Sequence, residues 1–170
     1  MKLEKYIRDI ADFPKPGILF KDITPLLSDP EALINCVNGL MALIPDDVKI
    51  DKVIGVESRG FIMGAMIAER LQAGFVPVRK KGKLPYNTKS ISYGLEYGED
   101  TLEIHIDAIK PGEKVLIHDD VLATGGTAEA VCKLVEDLGG VIVQCNFIME
   151  LIFLEGRAKL TSPVAALLKY

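Results

Sequence analysis

The stretch Lys114–Leu138, KVLIHDDVLATGGTAEAVCKLVEDL, leaves a folding chain few options. KVLIH reads as a buried strand. From Thr127 onward, Ala130, Val131, Leu134, Val135 and Leu138 recur on one face of a helix, which Gly139 and Gly140 stop. A second apolar run, Val141–Met149, reads as another strand. The same order occurs earlier: Lys52–Glu57 as strand, Ser58–Gln72 as helix with Gly74 just past its end, and Phe75–Val78 as a short strand. Strands alternating with helices predict a mostly parallel, twisted sheet with helices on both faces and right-handed connections.

The rest of the chain is read around that frame. Leu3, Tyr6, Ile7 and Ile10 stand at helical spacing, which predicts a short amphipathic helix over 2–11. Three prolines and a glycine make Phe13–Pro25 an irregular apolar segment. Ser28 or Asp29 caps the next helix, with Pro30 in its first turn, and that helix ends before Pro45. One polar stretch, Arg79–Asp100, breaks the alternation. It carries five Lys/Arg among its first eleven residues and ends in ISYGLEY, which suggests a β-ribbon. An insert of that length in a compact domain is a lid or binding loop. Thr101–Ile106 then reads as an exposed strand. At 170 residues the chain suits one domain, and its net charge of −4 gives no sign of a nucleic-acid partner. Cys36, Cys132 and Cys145 match no zinc spacing or disulfide framework and read as reduced core thiols. The absence of an apolar leader or of a membrane-length apolar run points to a cytoplasmic protein with no membrane partner.

The chemistry concentrates in two strand–helix turns. In open α/β sheets, ligands bind beyond the C-terminal strand ends. Asp119 and Asp120 lie just past KVLIH, and Ala123-Thr124-Gly125-Gly126-Thr127 turns into the helix. Backbone N–H groups and the helix dipole make an anion cradle there. The glycines allow close approach, and Thr124 and Thr127 add hydroxyl donors. The carboxylates would repel a phosphate but suit ribose hydroxyls. One segment therefore matches both halves of a ribose 5-phosphate. It is not a Walker loop, since no Gly-Lys-Ser/Thr follows. Glu57-Ser58-Arg59-Gly60 forms a second turn, where backbone N–H groups and Arg59 can hold another anion. Arg79, Lys80, Lys81 and Lys83 are candidates to neutralise it. His118, beside the aspartates, alternates away from the ligand and reads as a core residue.

The string DD-x-x-A-T-G-G-T between strand and helix resembles the signature of type I phosphoribosyltransferases. The whole chain, through FPKPGILFKDITPLL, ESRGF, RKKGKLP, SYGLEYG and ALLKY, is similar to the adenine-specific branch of that family. The resemblance implies a single domain over 1–170, with a base-binding hood over 1–27 and a flexible lid over 79–100. It implies phosphoribosyl pyrophosphate on Asp119, Asp120, Ala123–Thr127, Ser58, Arg59, Arg79 and Lys83. Adenine would stack on Phe20, with the Leu19 backbone reading its edge and Lys21 alongside. Glu96 would be the catalytic acid/base near N7. Mg²⁺ would be held mainly by phosphoribosyl pyrophosphate and water. The products would be AMP and pyrophosphate, in purine salvage, from a homodimer packed around Ser58–Val78. Two other readings stand beside this one: transfer to a different base, and a non-catalytic sensor of phosphoribosyl pyrophosphate.

Overall fold

The computed structural model describes residues 2–95 and 98–170, and the chain divides into two compact units, Met1–Gly39 and Leu40–Tyr170.

The first unit opens with a 3-10 turn, Leu3–Tyr6, followed by strands β1 (Arg8–Ala11) and β2 (Leu19–Asp22), helix α1 (Thr24–Ser28) and all but the last turn of helix α2 (Pro30–Ala42). The helix expected over 2–11 is therefore one tight turn and then a strand. β1 and β2 pair antiparallel, from Arg8↔Asp22 to Ala11↔Leu19. Prolines 14 and 16 fall wholly within the connecting loop, which is why 19–22 can extend despite its irregular-looking surroundings. That loop closes where the Gly17 N–H donates to Asp12 Oδ1 at 2.7 Å, with Gly17 at φ +86°. At the other end of the hairpin, Asp22 accepts from the Thr24 N–H at 2.8 Å and from Arg8 Nη2 at 2.6 Å. These bonds, with the Thr24 hydroxyl, hold its carboxyl down at about 2. α2 starts as read: Asp29 Oδ1 accepts the Ala32 N–H at 2.8 Å. Ala32, Cys36 and Val37 form its buried face.

The second unit is a seven-stranded sheet flanked by helices. Its elements are β3 (Lys52–Val56), α3 (Gly60–Leu71), β4 (Gly74–Lys80), β5 (Thr88–Leu95), β6 (Gly98–His105), β7 (Lys114–Leu122), α4 (Gly126–Asp137), β8 (Val141–Glu150) and β9 (Val164–Lys169). The spatial order is β5-β6-β4-β3-β7-β8-β9. β4, β3, β7, β8 and β9 run parallel, while β5 and β6 are antiparallel additions at one edge. Strand alternation covers both faces of β7. Val115 and Ile117 enter the core that contains Val131, Leu134 and Val135 of α4. His118 turns the other way, where a Cβ at Gly64 of α3 would lie 3.8 Å from its ring. The mostly parallel sheet expected from the alternation is thus present. No helix among the described residues is long and apolar enough to cross a membrane.

Several boundaries differ from the sequence reading. β7 runs on through Leu122, so Asp119 and Asp120 lie within the strand rather than beyond it. β4 continues to Lys80 because Arg79 and Lys80 pair with Glu103 and Leu102 of β6. The expected ribbon exists as the β5–β6 hairpin, with register from Thr88↔His105 to Leu95↔Gly98. Its second strand is not exposed: Leu102 and Ile104 are buried core residues. β9, which the sequence reading had not assigned, completes the far edge against β8.

Candidate active site

Chain direction fixes where a ligand can sit. From β3 the chain crosses through α3 to β4 on one side. From β7 it crosses through α4 to β8 on the other. β3 and β7 are parallel neighbours, with Gly55 opposite His118. Their C-terminal ends flank the point where the strand order reverses, the usual crevice of an open α/β sheet. Both turns singled out in the sequence leave from this pair.

The β7–α4 turn has the form of an anion cradle. Gly125 caps α4 at φ +81°, a conformation that disfavours side chains. The first N–H groups of α4 have no partner within the helix. The turn and the start of α4 line a cavity of about 80 Å³, formed by Asp119, residues 121–128 and Phe147. Thr127 lies at this opening, and its hydroxyl is 3.2 Å from that of Tyr93 on β5. The hairpin insert therefore reaches the mouth of the cradle. Gly156, in a 3-10 turn at Gly156–Lys159, supports the cradle from the other side. A Cβ on Gly156 would run into the Ala123 carbonyl and stand 2.8 Å from the Gly125 nitrogen. Only bare backbone fits there.

The aspartate pair sits at the base. The Asp120 N–H donates to Asp119 Oδ1 at 2.8 Å. Asp120 is buried, and its carboxylate meets Arg59 Nε at 2.7 Å. Burial, followed by the neighbouring Asp120 charge, pushes the Asp119 carboxyl well above the ordinary carboxylate range. Burial raises Asp120 as well, against the pull of Arg59. These acids are short of compensating donors, which is what hydroxyl groups or a hydrated cation would supply. Among the described residues, no group of three or more His, Cys, Asp or Glu side chains could hold a metal ion directly.

The β3–α3 turn packs directly against the aspartates. A Cβ at Gly60 would lie 2.8 Å from the His118 carbonyl and 3.0 Å from Asp119 Oδ1. Gly60 is thus what lets the two turns converge. The Glu57–Ser58 peptide is cis, Ser58 is exposed, and Arg59 begins the helix while bridging to Asp120. Glu57 collects the cations that the sequence had assigned to an anion. Lys83 Nζ lies 2.7 Å away, the Lys80 N–H 2.8 Å and Arg79 Nη2 3.2 Å. Burial opposes the Glu57 charge, but these donors outweigh it and hold the carboxyl at about 2.

The structure thus brings together Ser58, Arg59, Arg79, Lys83, Asp119, Asp120 and the Ala123–Thr127 turn. Leu19, Phe20 and Lys21 lie together on β2 of the first unit. Phe20 and Phe13 meet in a T-shaped pair with centroids 5.2 Å apart, and Lys21 pairs with Asp9 at 2.7 Å. Glu96, expected to be catalytic, lies outside the described residues. His118 is fully buried, as expected. Its Nδ1 is 3.2 Å from Asn146 Oδ1, and burial pushes it down to about 4, so it is neutral at pH 7. Sequence reasoning gave no role to Glu57, Tyr93 or Gly156. The signal for Glu57 was present: an acid at a strand end, facing a cluster of cations that need a counter-charge. Gly156 carried none, because its partner turn is about thirty residues away in sequence.

The chain as a whole is similar to known proteins. The model of the phosphoribosyl transferase domain family matches residues 27–153. An adenine phosphoribosyltransferase from Flavobacterium johnsoniae is 64% identical over all of this chain and all of its own length. One from Christiangramia forsetii is 62% identical, covering 100% of this chain and 99% of that protein. The crystal structure of the Rhodothermus marinus adenine phosphoribosyltransferase superimposes with a TM-score of 0.94 at 57% identity, covering 99% of this chain and 96% of that one. The Saccharomyces cerevisiae enzyme, crystallised with an imino-altritol bisphosphate and adenine, gives 0.95 at 43% identity, with 98% and 96% covered.

Proposed function

The chain belongs to the adenine phosphoribosyltransferase family, and from that premise we propose that the two converging turns hold phosphoribosyl pyrophosphate while Leu19, Phe20 and Lys21 receive adenine. The enzyme transfers the phosphoribosyl group to adenine, giving AMP and pyrophosphate. The observation that carries this reading is the convergence of two anion-binding turns at the β3/β7 switch point in a chain with such relatives. Transfer to another base and a purely sensory role are not favoured by these relatives.

The roles follow from the chemistry of each group. The Ala123–Thr127 turn takes the 5-phosphate on backbone N–H groups and the Thr124 and Thr127 hydroxyls. Asp119 and Asp120 accept from the ribose hydroxyls. Ser58, Arg59 and the adjoining amides take the pyrophosphate. Arg79 and Lys83 exchange Glu57 for the same anion, so the Glu57 carboxylate stores both cations until substrate arrives. The bond to the anomeric carbon breaks as pyrophosphate leaves, and positive charge spreads over the ribose ring. Fixed donors on pyrophosphate and fixed carboxylates near the ring favour that charge separation without reorganising. Phe20 offers a flat face to the purine, and the Leu19 backbone reads its edge. Glu96 holds or moves the N7 proton as N9 takes the sugar. The insert 79–100 excludes water from the activated sugar.

Magnesium belongs to this reading as well. The hard oxygens of Asp119 and Asp120 suit it, and they would hold it through its water shell. When bound, it offsets charge on the departing pyrophosphate. A homodimer is supported by the outer face of α3, where Ile62 and Ala65 are exposed and Met66 half-buried. A cytoplasmic location fits a reaction on soluble metabolites. The test is incubation of adenine, phosphoribosyl pyrophosphate and Mg²⁺ with the enzyme. AMP and pyrophosphate should appear in equal amounts, and failure of either to form would overturn the reading.

A further inference from the structure

Two thiols outside the site are in direct contact. Cys132, midway along α4, and Cys145, on β8, have their sulfurs 3.5 Å apart. Both are free and buried. Closing them to a disulfide requires the sulfurs to approach by about 1.5 Å, since the bond length is about 2.05 Å. The two sulfurs are not equally placed. Cys145 is fully inaccessible, whereas Cys132 lines an open cavity of about 200 Å³ with Glu129, Lys133, Glu136, Lys159, Leu160 and Thr161. Small polar oxidants can reach Cys132 from there, and Cys145 waits behind it.

We propose that Cys132 and Cys145 are a peroxide-oxidisable dithiol, with Cys132 the attacked sulfur and Cys145 the resolving one, closing to a disulfide between α4 and β8. The proton arrangement agrees with this order. A hydrogen bond from Cys145 lowers the Cys132 thiol, against burial and the charges of Glu136 and Glu129, and the same contact together with burial raises Cys145. The thiolate therefore forms on the accessible sulfur. In the first step the Cys132 thiolate attacks one peroxide oxygen. The S–O bond forms, the O–O bond breaks, and the departing hydroxide takes up the proton that Cys132 released, giving water. In the second step the Cys145 sulfur attacks Cys132. The S–S bond forms, the S–O bond breaks, and hydroxide leaves with the Cys145 proton as a second water. The two sulfurs lose two electrons and hydrogen peroxide gains them. The bond joins the helix whose first turn is the anion cradle to the strand beside β7, where Cys145 stands opposite Ile117.

The test uses the whole reduced enzyme and hydrogen peroxide, followed by alkylation in denaturant, intact mass and peptide mapping. The wild type should lose two hydrogen masses and fall from three titratable thiols to one, that of Cys36, with dithiothreitol restoring all three. Cys36→Ser should still form the bond. Cys145→Ser should stop at a single-oxygen adduct on Cys132, and Cys132→Ser should keep both remaining thiols. Should a serine variant misfold, the wild-type thiol count and mapped peptide decide the matter alone. Three thiols persisting at peroxide levels that oxidise an exposed thiol would overturn the proposal. So would direct over-oxidation of Cys132 with Cys145 still free, or a bond between two chains.

Discussion

Replacing Gly156 by alanine isolates the contact that backs the Ala123–Thr127 turn. Gly156 backs the Ala123–Gly125 turn from outside it, and its value is space: no positive φ demands glycine there. An alanine Cβ would stand 2.8 Å from the Gly125 nitrogen and 3.0 Å from the Ala123 carbonyl carbon. Ordinary contacts of this kind lie at about 3.5–4.0 Å. The clash is with backbone, which cannot rotate aside, and is most severe at the Ala123 carbonyl oxygen, so the Ala123–Gly125 segment must retreat by about 1 Å. Overpacking of this sort costs about 1–3 kcal/mol, which for a chain of this size lowers Tm by roughly 3–9 °C. Displacing the donors by up to about 1 Å can cost on the order of 100-fold in a positioned reaction. Steady-state AMP formation, with each substrate varied in turn, separates the effects. Gly156→Ala should raise the KM for phosphoribosyl pyrophosphate by roughly 10-fold or more and leave the adenine KM within about twofold. An unchanged donor KM together with an unchanged Tm would refute the argument that this glycine sets the position of the cradle.

Other perturbations probe the remaining parts. Asp120→Asn removes the negative charge that faces Arg59 at 2.7 Å and should weaken the grip on the sugar. Turnover with phosphoribosyl pyrophosphate should fall by about 10- to 100-fold, and wild-type kinetics would remove the assigned role. Glu96→Gln should lower kcat more than it changes either KM; an unaltered kcat takes Glu96 out of the proton transfer. Phe20→Ala should raise the adenine KM while sparing donor binding, and isothermal titration with each substrate distinguishes the two. Stability should also fall in acid. Asp22 and Glu57 titrate at about 2 in the folded chain, below their unfolded values, so their contribution is complete above about pH 5 and is lost as pH falls towards 2. For Glu57 this is about 2 kcal/mol, allowing for the exposed half of Lys83. Asp119 and Asp120 act in the opposite sense, since their raised carboxyls make the ionised state costly at neutral pH. Urea unfolding of Glu57→Gln should show a flatter dependence between pH 5 and 2 than the wild type, and parallel curves would contradict the assignment.

Much of this was legible in the residues because the strands near the site are parallel and buried. KVIGV and KVLIH announce themselves as apolar runs, and the glycines of ATGGT mark a turn with a physical reason behind it. The errors fall where long-range pairing overrides local pattern. Residues 8–11, RDIA, carry a helical period when joined to Leu3 and Tyr6, yet their pairing with Leu19–Asp22 makes them a strand. Arg79 and Lys80 look like loop but extend β4, because β6 offers backbone partners at Glu103 and Leu102. Thr101–Ile106 alternates weakly and reads as exposed. Its Leu102 and Ile104 are buried only once the hairpin folds onto the sheet edge. At the site, the acids and glycines could be read, but the cation store on Glu57 and the Gly125–Gly156 contact are properties of distant segments meeting. No local window contains them.

The central claim is that this chain moves a phosphoribosyl group onto adenine, and the most direct test offers it a choice. Initial rates are measured with phosphoribosyl pyrophosphate and Mg²⁺ against adenine, hypoxanthine, guanine and orotate, each supplied singly. The account predicts AMP from adenine, with kcat/KM at least about 100-fold above every other base, as expected where edge hydrogen bonds discriminate. Comparable or faster turnover of another base, or none with adenine, would contradict it.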